Sequence, residues 1–248
     1  MIKLSVNVNK VATIRNSRGG SVPSVLDAAG VAVDAGADGI TVHPRADARH
    51  ITFRDVEALA GILASVRGRV EFNIEGDPRP DLLALVRRIR PDQCTLVPVL
   101  PGEVTSQAGW PASTPRDQFR AVVNDLKAHG VRVSLFVDAE LSAVDWAAEM
   151  GADRVELYTE PFARAFTHGE EAATASLRRF ADAARRADDR GLGVNAGHDL
   201  DLNNLTLFRR LPHLAEVSIG HAIVSRALFV GLARTVREYL AVLQGDKA

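Results

Sequence analysis

Four of the seven histidines in this 248-residue chain, His43, His50, His198 and His221, stand where a short run rich in Val, Ile or Leu gives way to a polar turn. Imidazole titrates near neutrality, so each can take up or release a proton at physiological pH. Glu75 ends another such run, where burial would raise its proton affinity and let it serve in either direction. Junctions of the same kind carry Asn7, Asn9 and Lys10, then Arg45 and Arg49, then Glu103 and Thr105, then Asp138 and Glu140, then Glu156 and Thr159, then Asn195, Gly197 and Gly220. The set offers general acid–base chemistry. Arg15, Arg18, Arg45 and Arg49 add guanidinium forks that match phosphate or carboxylate oxygens, and Gly19-Gly20 beside Arg18 would let backbone N–H groups approach an anion. A phosphorylated substrate follows. Any one of these histidines could equally cap a strand, and any one arginine could be ordinary surface charge. It is the set that points to a site.

Groups so far apart in sequence need a scaffold that gathers them. Strand candidates recur at 4–8, 39–43, 70–75, 94–98, 131–138, 154–159, 193–196 and 217–220, and helical candidates at 24–35, 53–66, 80–89, 115–129, 142–150, 170–190, 202–211 and 225–243. The strands read as nearly continuous apolar runs, the pattern of a parallel sheet covered on both faces. Gly36, Gly130 and Gly151 follow helices and precede strands, where glycine suits the left-handed closing residue. Eight such units predict an α/β fold, a single-domain (β/α)8 TIM barrel over residues 1–248, with an open doubly wound sheet as the structural competitor. No linker or low-complexity tract suggests a domain boundary. In a barrel the strand exits converge on one rim.

Composition narrows the partners. With 31 acidic against 30 basic side chains, the chain has no global basic field to hold nucleic acid or an anionic membrane. No segment reaches the roughly 20 uninterrupted apolar residues of a membrane span. The single Cys94 cannot form an intrachain disulfide, and the Met1-Ile2-Lys3-Leu4 start lacks the apolar run of a secretory signal, so a cytoplasmic location is expected. Cys94 lies within an apolar strand and reads as core. Phosphate-binding, dinucleotide, nucleophile-elbow and paired-cysteine motifs are all missing. His43, His198, His221 and Glu75 are legitimate metal ligands, but their spacing does not demand a metal.

The exits also resemble a known pattern. The stretch Val6-Asn7-Val8-Asn9-Lys10-Val11-Ala12-Thr13-Ile14-Arg15-Asn16-Ser17-Arg18-Gly19, with Gly39-Ile40-Thr41-Val42-His43-Pro44-Arg45, Arg49-His50-Ile51-Thr52, Glu103-Val104-Thr105, Val194-Asn195-Ala196-Gly197-His198 and Ile219-Gly220-His221-Ala222-Ile223, resembles the pyridoxine 5′-phosphate synthase family across nearly the whole chain. The resemblance implies condensation of 3-amino-2-oxopropyl phosphate with 1-deoxy-D-xylulose 5-phosphate, releasing phosphate and water, without metal or organic cofactor. It implies His43 and Glu75 as proton acceptors, His198 as proton donor and Glu156 as a stabiliser of transition-state charge. It places Asn7, Arg18, Gly220 and His221 on the aminoketone phosphate and Arg45, His50 and Thr105 on the deoxyxylulose phosphate. It also implies a homo-oligomer, an octamer in the best-known members.

The chain departs from the family's usual pattern in three places. Asn9-Lys10 stand where many members have Asp-His, and Asp199 stands where a glycine commonly follows the histidine. Lys10 can donate to a hydroxyl or phosphate but cannot accept, and Asp199 brings a carboxylate near a presumed phosphate. Two rival readings accompany the synthase: a divalent-metal barrel acting as an isomerase or phosphatase, and a non-catalytic or altered-specificity relative that binds a phosphorylated ligand. If Asn9, Lys10 and Asp199 form a compensated set, Lys10→His alone lowers kcat/KM. An unchanged value in steady-state assays defeats the idea.

Overall fold

Along each strand the side chains alternate between two faces, as the period of two requires. The computed structural model describes residues 1–99, 103 and 106–245. Its strands are β1 (Lys3–Asn7), β2 (Gly39–Val42), β3 (Glu71–Gly76), β4 (Gln93–Leu96), β5 (Arg132–Val137), β6 (Arg154–Tyr158), β7 (Gly193–Gly197) and β8 (Leu214–Ile219). All pair in parallel and in sequence order, and β8 returns to β1, so the sheet closes as a (β/α)8 barrel. The helices are α1 (Asn9–Asn16), α2 (Val25–Asp34), α3 (Phe53–Leu63), α4 (Pro80–Ile89), α5 (Arg116–Ala128), α6 (Leu141–Glu149), α7 (Glu160–Thr167), α8 (Glu170–Asp189), α9 (Leu205–Phe208), α10 (His221–Val230) and α11 (Leu232–Gln244).

One face of every strand is apolar and meets the helices: Leu4 and Val6, Ile40 and Val42, Phe72 and Ile74, Cys94 and Leu96, Val133 and Leu135, all buried. The other face is polar and fills the barrel. This corrects the expectation of continuous apolar strands: burial is continuous, chemistry is not. Ser5 Oγ lies 2.7 Å from Thr41 Oγ1, Asn73 Nδ2 donates to Thr41 Oγ1 at 3.3 Å, Thr95 Oγ1 donates to Asn73 Oδ1 at 3.1 Å and Gln93 Nε2 donates to Thr95 Oγ1 at 3.3 Å. At the N-terminal mouth Arg132 on β5 reaches past β4 to Glu71 on β3, and Arg154 on β6 reaches past β7 to within 3.8 Å of Glu216 on β8. Buried polar groups need partners, and most here find them on the same, the adjacent or the next-but-one strand.

Four elements differ from the sequence expectation. The segment around Arg15 is the helix α1 rather than a loop, and α7 was missed. The expected helix at 202–211 contracts to α9, and that at 225–243 is two helices broken at Gly231, whose φ of 84° a side chain would resist. No helix among the described residues is long and apolar enough to cross a membrane.

Asp55 ties the first turns together. It closes a capping box with Thr52 at the start of α3 and receives Arg15 Nη1 at 2.5 Å and Nη2 at 2.9 Å from α1. Burial works to raise the Asp55 pKa, and the hydrogen bonds from Arg15 and Thr52 outweigh it, holding the carboxyl below its usual range. Removing one partner of such a pair strands the other, so Asp55→Ala should cost about 3 kcal/mol of stability. Urea unfolding monitored by circular dichroism measures this, with a loss under about 1 kcal/mol as the contrary result.

Candidate active site

The C-terminal rim of the barrel has a polar half and an aromatic half. On the polar half β1, β2 and β3 deliver Asn7, His43 and Glu75 in neighbouring register. His43 Nδ1 lies 3.9 Å from Glu75 Oε2, and the residues are only 7% and 8% exposed. Asn7 Nδ2 makes a long 3.5 Å contact to the same Glu75 oxygen, while its Oδ1 accepts from the Asn9 N–H at 3.0 Å. Asn9 Oδ1 in turn accepts from the His43 backbone N–H at 2.9 Å. These contacts fix three strand exits relative to one another. His43 Nε2 is buried without a hydrogen-bond partner among the described residues. His50 faces His43 edge-on at 6.3 Å between ring centroids, and its Nδ1 accepts from the Ile51 N–H at 2.9 Å. Buried Arg45 lies beside them, with Nη2 3.6 Å from Glu103 Oε1.

On the aromatic half, Val97, Phe136 and Tyr158 form a small apolar cluster, and His198 packs on two of its rings at 5.4 and 5.3 Å. His198 has φ of 85°, a conformation uncommon outside glycine and of the kind found at functional sites. Its neighbour Gly197 is held by Thr159, whose N–H and Oγ1 both donate to the Gly197 carbonyl at 3.1 and 2.5 Å. A Cβ at Gly197 would collide with Glu156 Oε1, so the glycine is what lets that carboxyl sit inside the rim.

Burial sets the electrostatics. It raises Glu75, reinforced by Glu216, and raises Glu156 further, reinforced by Glu75 and Glu216 against a hydrogen bond from Thr95. It lowers His43 well below the usual imidazole range, with His50, Arg45, Arg79 and His198 adding to the effect. His50 falls to about 4 through burial and the charges of Arg45, Lys10 and Arg49. His198 is lowered by burial, with Asp199 raising it and Lys10 lowering it. Burial therefore favours neutral imidazoles beside reluctant carboxylates at the rim.

The structure brings together Asn7, Asn9, His43, Arg45, His50, Glu75, Glu156 and His198, and Lys10 and Asp199 act on His198 with opposite sign. Gly220 joins them from β8, since a Cβ there would come within 2.9 Å of the Asn7 carbonyl oxygen. His221 opens α10 and is exposed, its Nε2 3.5 Å from Ser225 Oγ. Arg18 is exposed on the loop after α1. Thr105 lies outside the described residues. Arg15 does not face an anion site but is taken up by Asp55. Sequence reasoning overlooked Arg79, whose only signal was its place before Pro80, a helix-opening proline. Among the described residues no group of three or more His, Cys, Asp or Glu side chains could hold a metal ion.

Comparison with known proteins agrees with the geometry. The family model described as "Pyridoxal phosphate biosynthesis protein PdxJ" matches residues 4–245. A pyridoxine 5′-phosphate synthase of Christiangramia forsetii is 47% identical, covering 98% of this chain and 100% of its own. One of Bacteroides fragilis is 50% identical, covering 96% and 98%. Among solved structures, 3-hexulose-6-phosphate synthase from Salmonella typhimurium superposes with a TM-score of 0.66 at 15% identity, covering 98% of this chain and 99% of that one, a likeness of fold alone.

Gly197→Ala should displace the Glu156 carboxyl while leaving the barrel folded, and kcat should fall by about a hundredfold, as expected for a misplaced charged group. Steady-state kinetics beside a thermal melt separates this from unfolding. A variant with unchanged kcat would show that the position of Glu156 is immaterial.

Proposed function

The chain belongs to the PdxJ family, and we propose that it is a pyridoxine 5′-phosphate synthase which condenses 3-amino-2-oxopropyl phosphate with 1-deoxy-D-xylulose 5-phosphate at the rim just described. The observation that carries the reading is the buried His43–Glu75 pair, 3.9 Å apart and held from three strands. Ring formation between these substrates requires an imine, dehydrations, loss of one phosphate and closure, each moving protons on and off a few atoms. Two groups of different resting state serve that need.

The substrate amine arrives as an ammonium ion. A buried carboxylate with raised proton affinity is a ready acceptor for that proton, and its transfer to Glu75 leaves the free amine needed to attack the ketone. His43, neutral and with Nε2 unpartnered, is the base for the later dehydrations. His198 starts neutral, and a phosphate dianion bound beside it would raise its proton affinity and make it the donor to departing oxygens. Cationic imine character beside Glu156 would favour the ionised carboxylate that burial otherwise resists, and the two charges would then attract strongly in the water-excluded rim. Arg45 and His50 fit one phosphate. The backbone at Gly220 and His221, opening α10, fits the other at a helix N-terminus. Holding both substrates in one pocket supplies the rest by proximity.

The family pattern and the exposed Leu228 and Phe229, 70% and 88% accessible, together support a homo-oligomer. We place the activity in the cytoplasm, which suits a single buried cysteine.

Incubating the protein with both substrates and following pyridoxine 5′-phosphate by its absorbance tests the reading, and no product overturns it. Glu75→Gln should lower kcat by about 10² to 10⁴, the usual contribution of a positioned acid–base group. Because the acceptor must begin ionised, wild-type kcat/KM should fall as pH drops through the raised Glu75 pKa, an acid limb above the ordinary carboxylate range. That limb should vanish in the variant. Near-normal activity in Glu75→Gln removes it from the mechanism.

A further inference from the structure

Between β3 and α4, immediately beyond Glu75 and Gly76, the Arg79 side chain turns back over the rim. Its Nη2 donates to the Pro44 carbonyl oxygen, the peptide between His43 and Arg45. Its Nη1 donates to Asp77 Oδ1 at 2.6 Å, and Nε lies 2.9 Å from Asp81 Oδ1 in a contact that is not aligned as a hydrogen bond. The guanidinium carbon stands 5.8 Å from the centre of the Phe53 ring at the start of α3. The side chain is 13% exposed. One planar group thus touches the β2 exit, the β3 exit and the first turn of α3. Of the residues that approach the His43–Arg45 segment, it alone among the described residues fastens the Pro44 carbonyl.

We propose that Arg79 is a positioning residue for the synthase reaction: it clamps the Pro44 peptide so that His43 stays turned toward Glu75 and Arg45 toward the phosphate it binds, and its fixed cation adds to the field at His43. The proposal rests on the functional reading above. It follows from what the guanidinium does in place. Proline has no N–H, so its carbonyl is the one backbone group by which residue 44 can be hydrogen-bonded, and a carbonyl between a base and a phosphate ligand transmits any rotation to both. Arg79 is flanked by two carboxylates, Asp77 on its own loop and Asp81 in the first turn of α4, so the cation stays where it is when the substrate arrives. The charged and titratable groups facing His43 are Glu75 from β3, Arg45 and His50 from its own exit, Arg79 from the β3–α4 loop and His198 from β7. Four of these can titrate or bind substrate. Arg79 is the constant member of the field.

The two parts of the role separate experimentally. Arg79→Lys keeps a cation but loses the planar fork, whereas Arg79→Met keeps much of the stem and loses both. Arg79→Met should lower kcat/KM by about tenfold to a hundredfold, the scale expected when reacting groups are misplaced by about 1 Å. Its loss of positive charge should raise the His43 pKa, which nuclear magnetic resonance titration of the imidazole reads without any turnover. Arg79→Lys should keep the His43 titration near that of the wild type while losing part of kcat and raising KM for the deoxyxylulose phosphate. A merely structural role would lower the melting temperature of both variants and leave the His43 titration unmoved. That outcome, or wild-type kinetics in Arg79→Met, overturns the proposal. A wild-type protein that makes no pyridoxine 5′-phosphate would instead overturn the functional reading, and the imidazole titration would still decide the electrostatic half of this one.

Discussion

Carboxyl groups held out of water inside a closed sheet are the condition on which the rest of this molecule depends. Glu75 gains its proton affinity first from burial and then from Glu216, Glu156 first from burial and then from Glu75 and Glu216, and the His43 imidazole is pushed the opposite way by the same burial. Neither effect would exist on an open surface, where water would solvate each charge. The barrel supplies the exclusion of water, and the strand alternation supplies the groups.

That arrangement has a structural consequence. A barrel whose interior carries Ser5, Thr41, Asn73, Thr95, Gln93, Arg132, Arg154 and Glu216 cannot take its stability from the lumen. Its apolar core lies instead between sheet and helices, in a continuous shell that runs from Leu4 through Trp146 and Phe208 to Leu243. Burying charge is tolerable only when partners complete it, and the Glu71–Arg132 and Arg154–Glu216 pairs close the lower mouth in that way. Ser134 Oγ and Asn195 Nδ2 are the exceptions, buried in the lumen without a hydrogen-bond partner among the described residues. The shell holds the fold, and the lumen is left to chemistry.

Much of this was legible in the chain. Eight strand exits could be found because parallel strands are short and bounded by turn residues, and the acid–base set fell on those exits as a barrel requires. The alternation within strands was also visible, in phrases such as Glu71-Phe72-Asn73-Ile74-Glu75, but Ser and Thr are small enough to pass for members of an apolar run. Helix α1 was hidden because Asn9, Lys10, Arg15 and Asn16 look like a polar loop, and only its buried Val11 and Ala12 pack inward. The role of Arg15 could not be read either. Its partner Asp55 is forty residues away, and nothing local distinguishes an arginine that buttresses a helix cap from one that waits for a phosphate. Arg79 was invisible for the same reason: its function lies in a carbonyl, which sequence does not show.

The three departures from the family's usual pattern gain a physical meaning from their places. Asn9 uses its carbonyl oxygen to hold the His43 N–H, a bond that an aspartate could make as well. An aspartate would add negative charge next to Glu75, whose ionisation the barrel already disfavours, and would raise the imidazole that must stay neutral. The amide keeps the geometry and leaves out the charge. Lys10 and Asp199 act on His198 with opposite sign, so each offsets in the local field what the other introduces. A histidine at position 10 would be a cation only part of the time, and the Asp199 charge would then go unbalanced whenever it was neutral. The effects of Lys10 and Asp199 oppose one another at His198, and the neutral Asn9 adds no charge beside the His43 N–H that it holds.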